Sequence, residues 1–419
     1  MTKADKEGQR KAPILRFKGF TDDWEQRKLN EVTTRVLRKN KNLISKRPLT
    51  ISAQYGLIDQ QAFFNKQVAS SNLENYLLLE KGEFAYNKSY SDGFPYGTIK
   101  KLNLYDNGAV STLYIAFKAN ADINSDFLEN LFSSNKWNNE VYKIAAEGAR
   151  NHGLLNISPN DFFNIKITIS KDSQEQAFIS KFLRVFDNLL ALYERKLKLL
   201  SQVKKYFLDN LFTEKEYPNL RFKGFTDAWE QRKLGEVTLF IRNGVTVKQN
   251  GSYGIPITRI ESISTGTLNL KKVGYADIQT DKYKDFYLKN NDILFSNINS
   301  LEHIGKTAFV QHLSLDVIHG MNLLNIRINE ESISSKFIYY QLLIMKYNNL
   351  FKRVAKPAVN QASIATSELK KLVIKIPDVN EQHKIQALLT RLERIITLYE
   401  NKQQSLSEIK KTLLNTMFI

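Results

Sequence analysis

The residues able to do covalent chemistry are few, and their spacing does not suit it. The 419-residue chain contains no cysteine and five histidines: His152, His303, His312, His319 and His383. Without cysteine there is no thiol nucleophile and no thiolate metal site, and the histidines are not spaced as metal ligands. A G-x-x-x-x-G-K-[ST] loop for nucleotide phosphates is missing, as is the Asn/Asp-Pro-Pro-Tyr/Phe segment that amino-methyltransferases use. Asp378 followed by Glu408 and Lys410 imitates a nuclease signature. Glu408 and Lys410 fall on a strongly periodic helical stretch, however, where a solvated face is the expected role. These residues point to binding rather than catalysis.

Charge indicates what is bound. There are 61 Lys and Arg residues against 43 acids, a formal net charge of +18. An excess of this size implies a polyanionic partner, nucleic acid ahead of an anionic membrane surface. Six basic residues crowd into the 13 positions from Arg35 to Arg47, and Arg35, Arg38, Lys39 and Lys41 are candidates for phosphate contact. Reading bases needs side chains that present paired donors and acceptors. In the first half such groups gather in Gly-, Ser- or Asn-rich loops at Gln54 and Tyr55, at Lys88, Ser89 and Tyr90, and at Arg150, Asn151 and His152. The second half offers Arg259 and Glu261, Asn297 and Asn299, Lys306, and Asn360 with Gln361.

The elements that must position these residues are written twice. Between Pro13–Thr33 and Pro218–Thr238, 18 of 21 positions are identical. A second pair of segments begins with Glu-Gln at Glu175 and at Glu381. Their apolar residues recur at steps of three and four: Phe182, Phe186, Leu189, Tyr193, Leu200 and Val203 in one, Leu388, Leu392, Ile395, Tyr399, Leu406 and Ile409 in the other. Each reads as a long helix with one apolar stripe, and the nearest partner for either stripe is the other copy, packed antiparallel.

Between framework and helix lie two stretches whose identity has faded while a pattern survives. "YLLLEKGEFAYNKS" from Tyr76 parallels "FYLKNNDILFSNIN" from Phe286, each with an acid in its turn, Glu83 and Asp292. "ISPNDFFNIKITI" from Ile157 parallels "IATSELKKLVIKI" from Ile364, where a short helix feeds a strand. The expected fold class is mixed α+β, with two tandem globular domains and two long helices arranged with pseudo-twofold symmetry. The expected segments are framework 1–33, first domain 34–172, first helix and linker 173–217, second framework 218–238, second domain 239–377 and second helix 378–419. A charged N-terminus without an apolar signal core, and the lack of any run of about 18 apolar residues, lead us to expect a soluble, cytoplasmic protein away from membranes.

Over essentially its whole length the chain resembles the specificity subunit of bacterial type I restriction–modification systems. The doubled "FKGFTDxWEQRKLxEV", the "GEFAYNKS" and "NDILFSNINS…IGK" segments, and the Glu-Gln approach to each helix carry the resemblance. It implies two target recognition domains, each reading half of a split site in double-stranded DNA, with paired helices as the spacer. It also implies partners: two modification (methyltransferase) subunits and ATP-driven restriction subunits. S-adenosylmethionine, ATP and Mg are then expected on those partners, with no cofactor, metal or catalytic residue on this chain. The competing readings are a two-domain DNA-binding protein acting alone, a nuclease or lone methyltransferase, and a coiled-coil scaffold.

Overall fold

The computed structural model describes residues 11–52, 55–64, 72–89, 93–145, 155–213, 215–249, 251, 253–278, 280–331, 333–359 and 361–419. The chain divides into two compact units, one made of Met1–Glu194 with Glu400–Ile419 and the other of Arg195–Tyr399. Both have the same plan.

In unit one the framework phrase supplies the strand Glu25–Lys28, which pairs antiparallel with Lys166–Ile169. The partner strand alternates, with Ile167 and Ile169 inward, as one buried face requires. It is fed by the helix Pro159–Asn164, which starts where Ser158 accepts the Asp161 N–H and proline occupies the first turn. A four-stranded antiparallel sheet comes between them in the chain, in the order Thr33–Arg35, Ile115–Ala119, Phe84–Asn87, Thr98–Lys101. Stacked Phe84 and Phe117, 5.2 Å between centroids, fill the space beneath it.

Unit two repeats this design with different residues. Glu230–Lys233 pairs with Val373–Ile376, behind the short helix Thr366–Lys370. Its sheet runs Thr238–Asn243, Leu324–Ile328, Ile293–Phe295, Thr307–Phe309, the same order of first, fourth, second and third strand. In both sheets a buried acid stands in the turn before the central strand. Glu83 accepts the Glu80 N–H at 2.8 Å and Arg38 Nη2 at 2.8 Å. Asp292 accepts the Lys289 N–H at 2.8 Å and a two-pronged Arg327 at 2.7 Å on each oxygen. A carboxylate taken out of water needs this number of donors, so the acid dictates the turn.

The two long helices span Ser173–Leu211 and Val379–Met417, 39 residues each. They pack antiparallel. Within unit two Lys196 meets the Tyr399 ring 5.3 Å away, while Lys204 reaches Glu393 at 2.9 Å, so numbers rise on one helix as they fall on the other. Within unit one Lys410 pairs with Asp187. Phe186, Tyr193, Leu200, Val203, Leu388, Leu392, Ile395, Tyr399 and Leu406 are half-buried on this seam. Phe182 and Leu189 stand more than a third exposed, and Ile409 is half exposed. The fully buried positions lie one residue further on, at Leu183 and Leu389, because the N-terminal turns of each helix face a globular core rather than a partner helix.

Each helix begins in one unit and ends in the core of the other. Leu414, Met417 and Phe418 close the core of unit one, where Phe418 meets Trp24 edge-on at 6.0 Å. Leu208, Leu211 and Phe212 do the same for unit two against Trp229 at 6.3 Å. Phe418→Ala removes a ring that is 1% exposed, and should cost about 3–5 kcal/mol. Hydrogen-exchange mass spectrometry should show the lost protection inside unit one, with the sheet of unit two unchanged.

Candidate nucleic-acid interface

Each unit holds its framework to its helix through one buried carboxylate. Glu175 accepts Arg16 Nε at 2.6 Å and Nη2 at 2.9 Å, the Trp24 indole N–H at 3.0 Å, and the Ser170 hydroxyl. Glu381 accepts Arg221 through the same two nitrogens at 2.9 and 2.8 Å. Both carboxylates are shielded from solvent, and both guanidinium pKa values rise because of the hydrogen bond to the acid. Trp229 has no acceptor for its indole N–H, so the second anchor is the leaner one. The neighbouring glutamines do a second job. Gln176 accepts the Asn124 N–H and donates to Ser170 O, both at 2.9 Å, and Gln382 accepts the Ser334 N–H at 2.9 Å and donates to Pro377 O at 3.0 Å. Asn124 and Ser334 each cap a helix of their own domain. The repeated Glu-Gln thus joins framework, long helix and globular domain at one point, a role the sequence marked only by repetition.

Beyond the anchor, the chain leaving each central strand is pinned in the same way. Leu155 N–H donates to Lys88 O at 3.0 Å, and Ile364 N–H donates to Asn297 O at 2.9 Å. The end of the central strand and the segment returning to the short helix therefore lie side by side in both units. In unit two this gathers several candidates. Asn297 is buried with an unpaired side-chain oxygen, and Asn299 donates to Ser296 Oγ at 3.1 Å. Gln361 is exposed on a hairpin in which Gln361–Ser363 pairs with Ile298–Asn299 and with Lys356–Ala358. Lys306 is half-buried nearby, close enough to Lys346 to help lower its pKa, after burial and Lys352. Lys346 braces this loop by donating to Glu302 O at 2.9 Å and Ile304 O at 2.6 Å. Val359, 92% exposed at the hairpin tip, and Lys356 beside it belong to this surface although neither carries the paired donor and acceptor of a base reader.

The first unit's candidates are divided. Lys88 donates to Ile157 O at 3.1 Å and Ser89 is half-buried beside it. Gln54, Tyr90, Arg150, Asn151, His152 and, in unit two, Asn360 lie outside the described residues. Tyr55 is exposed after the strand Leu49–Ser52. Arg259 and Glu261 are exposed around a short 3₁₀ turn, with Arg259 bound to Gln249. In the basic run, Arg35, Lys39 and Lys41 are exposed, and Lys39 donates to Asn75 O at 2.8 Å. Arg38, about a third of its side chain exposed, is paired with the buried Glu83 at 2.8 Å.

The residues that imitated catalytic groups have structural partners. Asp378 opens the second long helix by accepting the Asn380 N–H, a bond that holds its carboxyl below the usual range. Glu408 accepts from Gln404 on an exposed face, and Lys410 pairs with Asp187. His319 is buried between Phe286 O at 3.0 Å and Asn243 O at 3.1 Å. Among the described residues no cluster of His, Asp and Glu could hold a metal ion, and no helix is long and apolar enough to cross a membrane.

Residues 226–408 match the family model described as the type I restriction modification DNA specificity domain. Over these residues, somewhat less than half of its length, the chain is similar to type I restriction–modification DNA specificity domains. It is 38% identical over 209 residues to a putative type I restriction enzyme MjaX specificity subunit of Methanocaldococcus jannaschii, a match that spans about half the length of each chain, 49%. A second specificity subunit from that organism, MjaVIII, is 25% identical over 300 residues, 68% of each. The fold matches the crystal structure of the type I system S subunit from M. genitalium, with TM-score 0.59 and 14% identity over 97% of this chain and 99% of that one. A structure titled for complex assembly and conformational transition of the type I R-M system matches with TM-score 0.53 and 17% identity over 93% and 96%.

For a chain built on two such anchors, the anchor is testable by itself. Arg16→Met leaves Glu175 buried without its cation, and the expected loss of stability is about 3–5 kcal/mol. Chemical denaturation followed by tryptophan fluorescence should read it, with Arg16→Lys restoring only part because an ammonium lacks the planar two-pronged fork of the guanidinium.

Proposed function

We propose that this chain is the non-catalytic DNA-reading component of a type I restriction–modification complex. Each unit reads one half of a bipartite site in double-stranded DNA, and the long helices set the length of unread DNA between the halves. Two modification subunits and the restriction subunits assemble on it and bring the chemistry. S-adenosylmethionine, ATP and Mg belong to those partners, and the complex works in the cytoplasm.

The observation that carries this reading is the contrast between mount and loops. The anchors Arg16–Glu175 and Arg221–Glu381 are the same interaction, and both sheets have one strand order. At matched positions after the central strand, however, the residues differ, Lys88 and Ser89 in one unit and Asn297 and Ile298 in the other. A common scaffold with unlike loop chemistry is what two different sequence readings require. The net charge of +18 supplies the attraction to phosphate that such reading needs.

Replacing residues 34–172 with the matching domain of a relative should change one half of the methylated motif in the host genome and leave the other half and the spacer length intact. Long-read methylome sequencing checks this, and a change in both halves rules out one unit per half-site. The purified chain alone should neither methylate nor cleave DNA with any combination of S-adenosylmethionine, ATP and Mg. Robust activity from it would favour the enzyme reading instead.

A further inference from the structure

Unit one contains a cavity of about 250 Å³ lined by the loop Gly93–Gly97. Phe94, Tyr96, Asn135, Asn138, Lys100 and Lys410 contribute to its lining. The loop's shape is obligatory at Gly97, where φ is +77° and a Cβ would sit 2.3 Å from Asn87 O.

The ion pairs around the cavity leave one cation over. Lys101 is neutralised on the far face of its strand by Asp126 and Glu129, Arg184 also takes Asp126, and Lys410 takes Asp187. Lys100 has no hydrogen bond or ion pair of its own among the described residues. Burial lowers its pKa, Glu129 and Asp187 work against that, and the neighbouring Lys410 adds to it. The matched positions of unit two hold one cation fewer. The strand position matching Lys100 is Ala308, fully buried, and Lys204, which matches Lys410, is paired with Glu393. A half-buried ammonium beside a second one is costly unless an anion arrives, and the side-chain amides of Asn135 and Asn138 supply neutral donors for its oxygens.

We propose that this cavity is a phosphate-binding site with Lys100 as its principal ligand and Lys410 as its second cation. The source of the phosphate rests on the DNA-binding reading: it is a backbone phosphate of the duplex held by unit one. The site positions the duplex and does not specify bases.

The test uses the full-length chain and two probes, inorganic phosphate followed by phosphorus NMR line broadening and a specific duplex titrated at several salt concentrations. Lys100→Met keeps the aliphatic stem and removes the charge, while Lys100→Arg keeps the charge and controls for folding. The expected result is at least tenfold weaker phosphate binding in Lys100→Met, retention in Lys100→Arg, and a salt dependence of duplex binding reduced by about one counterion with unchanged base preference. Lost phosphate binding with an unchanged salt slope keeps the site and overturns the duplex as its source, leaving a free anion. No phosphate binding by the wild type, or equal binding by Lys100→Met, overturns the site itself. A wild-type chain that ignores DNA contradicts the DNA reading while the phosphate titration still decides the cavity.

Discussion

A carboxylate buried at the start of a long helix is the interaction on which everything else hangs. Glu175 and Glu381 are out of water, and an isolated carboxylate there would cost several kcal/mol. The cost is met by a fork of two N–H bonds from Arg16 or Arg221, each more than 150 residues away in sequence. The geometry of a guanidinium on a carboxylate is rigid, so the framework phrase is fixed in both position and orientation relative to the helix. The adjacent glutamine then fixes the globular domain to the same point. Three parts of each unit are thereby joined at one point within a shared apolar core, which explains why the phrase tolerates so little change while the domains differ freely.

The domains differ freely within limits of their own. Their sheets share a strand order because the central strand begins at a buried acid whose donors come from the turn and from a neighbouring strand or segment. Glu83 recruits Arg38 for this purpose and Asp292 recruits Arg327. The cation comes from before the acid in one unit and from after it in the other, yet the turn has the same form. The segment after the central strand is held in both units by the same backbone hydrogen bond, at Lys88 O and at Asn297 O, while the side-chain contacts around it differ between the units. That separation between a rigid frame and variable loop residues is what a protein needs in order to acquire new readings without refolding.

Much of this architecture was legible in the sequence, and the misses have physical causes. The repeated phrase, the two 39-residue helices and the short helix ahead of each closing strand arise from repetition, periodicity and a capping residue such as Ser158. The order of the sheets was not legible, because strands of three to six residues carry too little pattern to name their neighbours. Arg38 looked like one more cation in a basic run. Its fate is decided by an acid 45 residues away, which no local pattern shows. The helix seam shifts by one residue wherever a globular core competes with the partner helix for the apolar stripe, as at Leu183 and Leu389. Val359 carries no polar signal in the sequence, yet an exposed apolar tip can contact a thymine methyl.

The central claim is that two units mounted alike contact two separate stretches of one duplex. Hydroxyl-radical footprinting of the assembled modification complex on its methylated motif tests it most directly. The account predicts two protected patches of similar extent, one over each half of the motif, separated by a reactive spacer. One continuous patch, or protection of a single half, would contradict it.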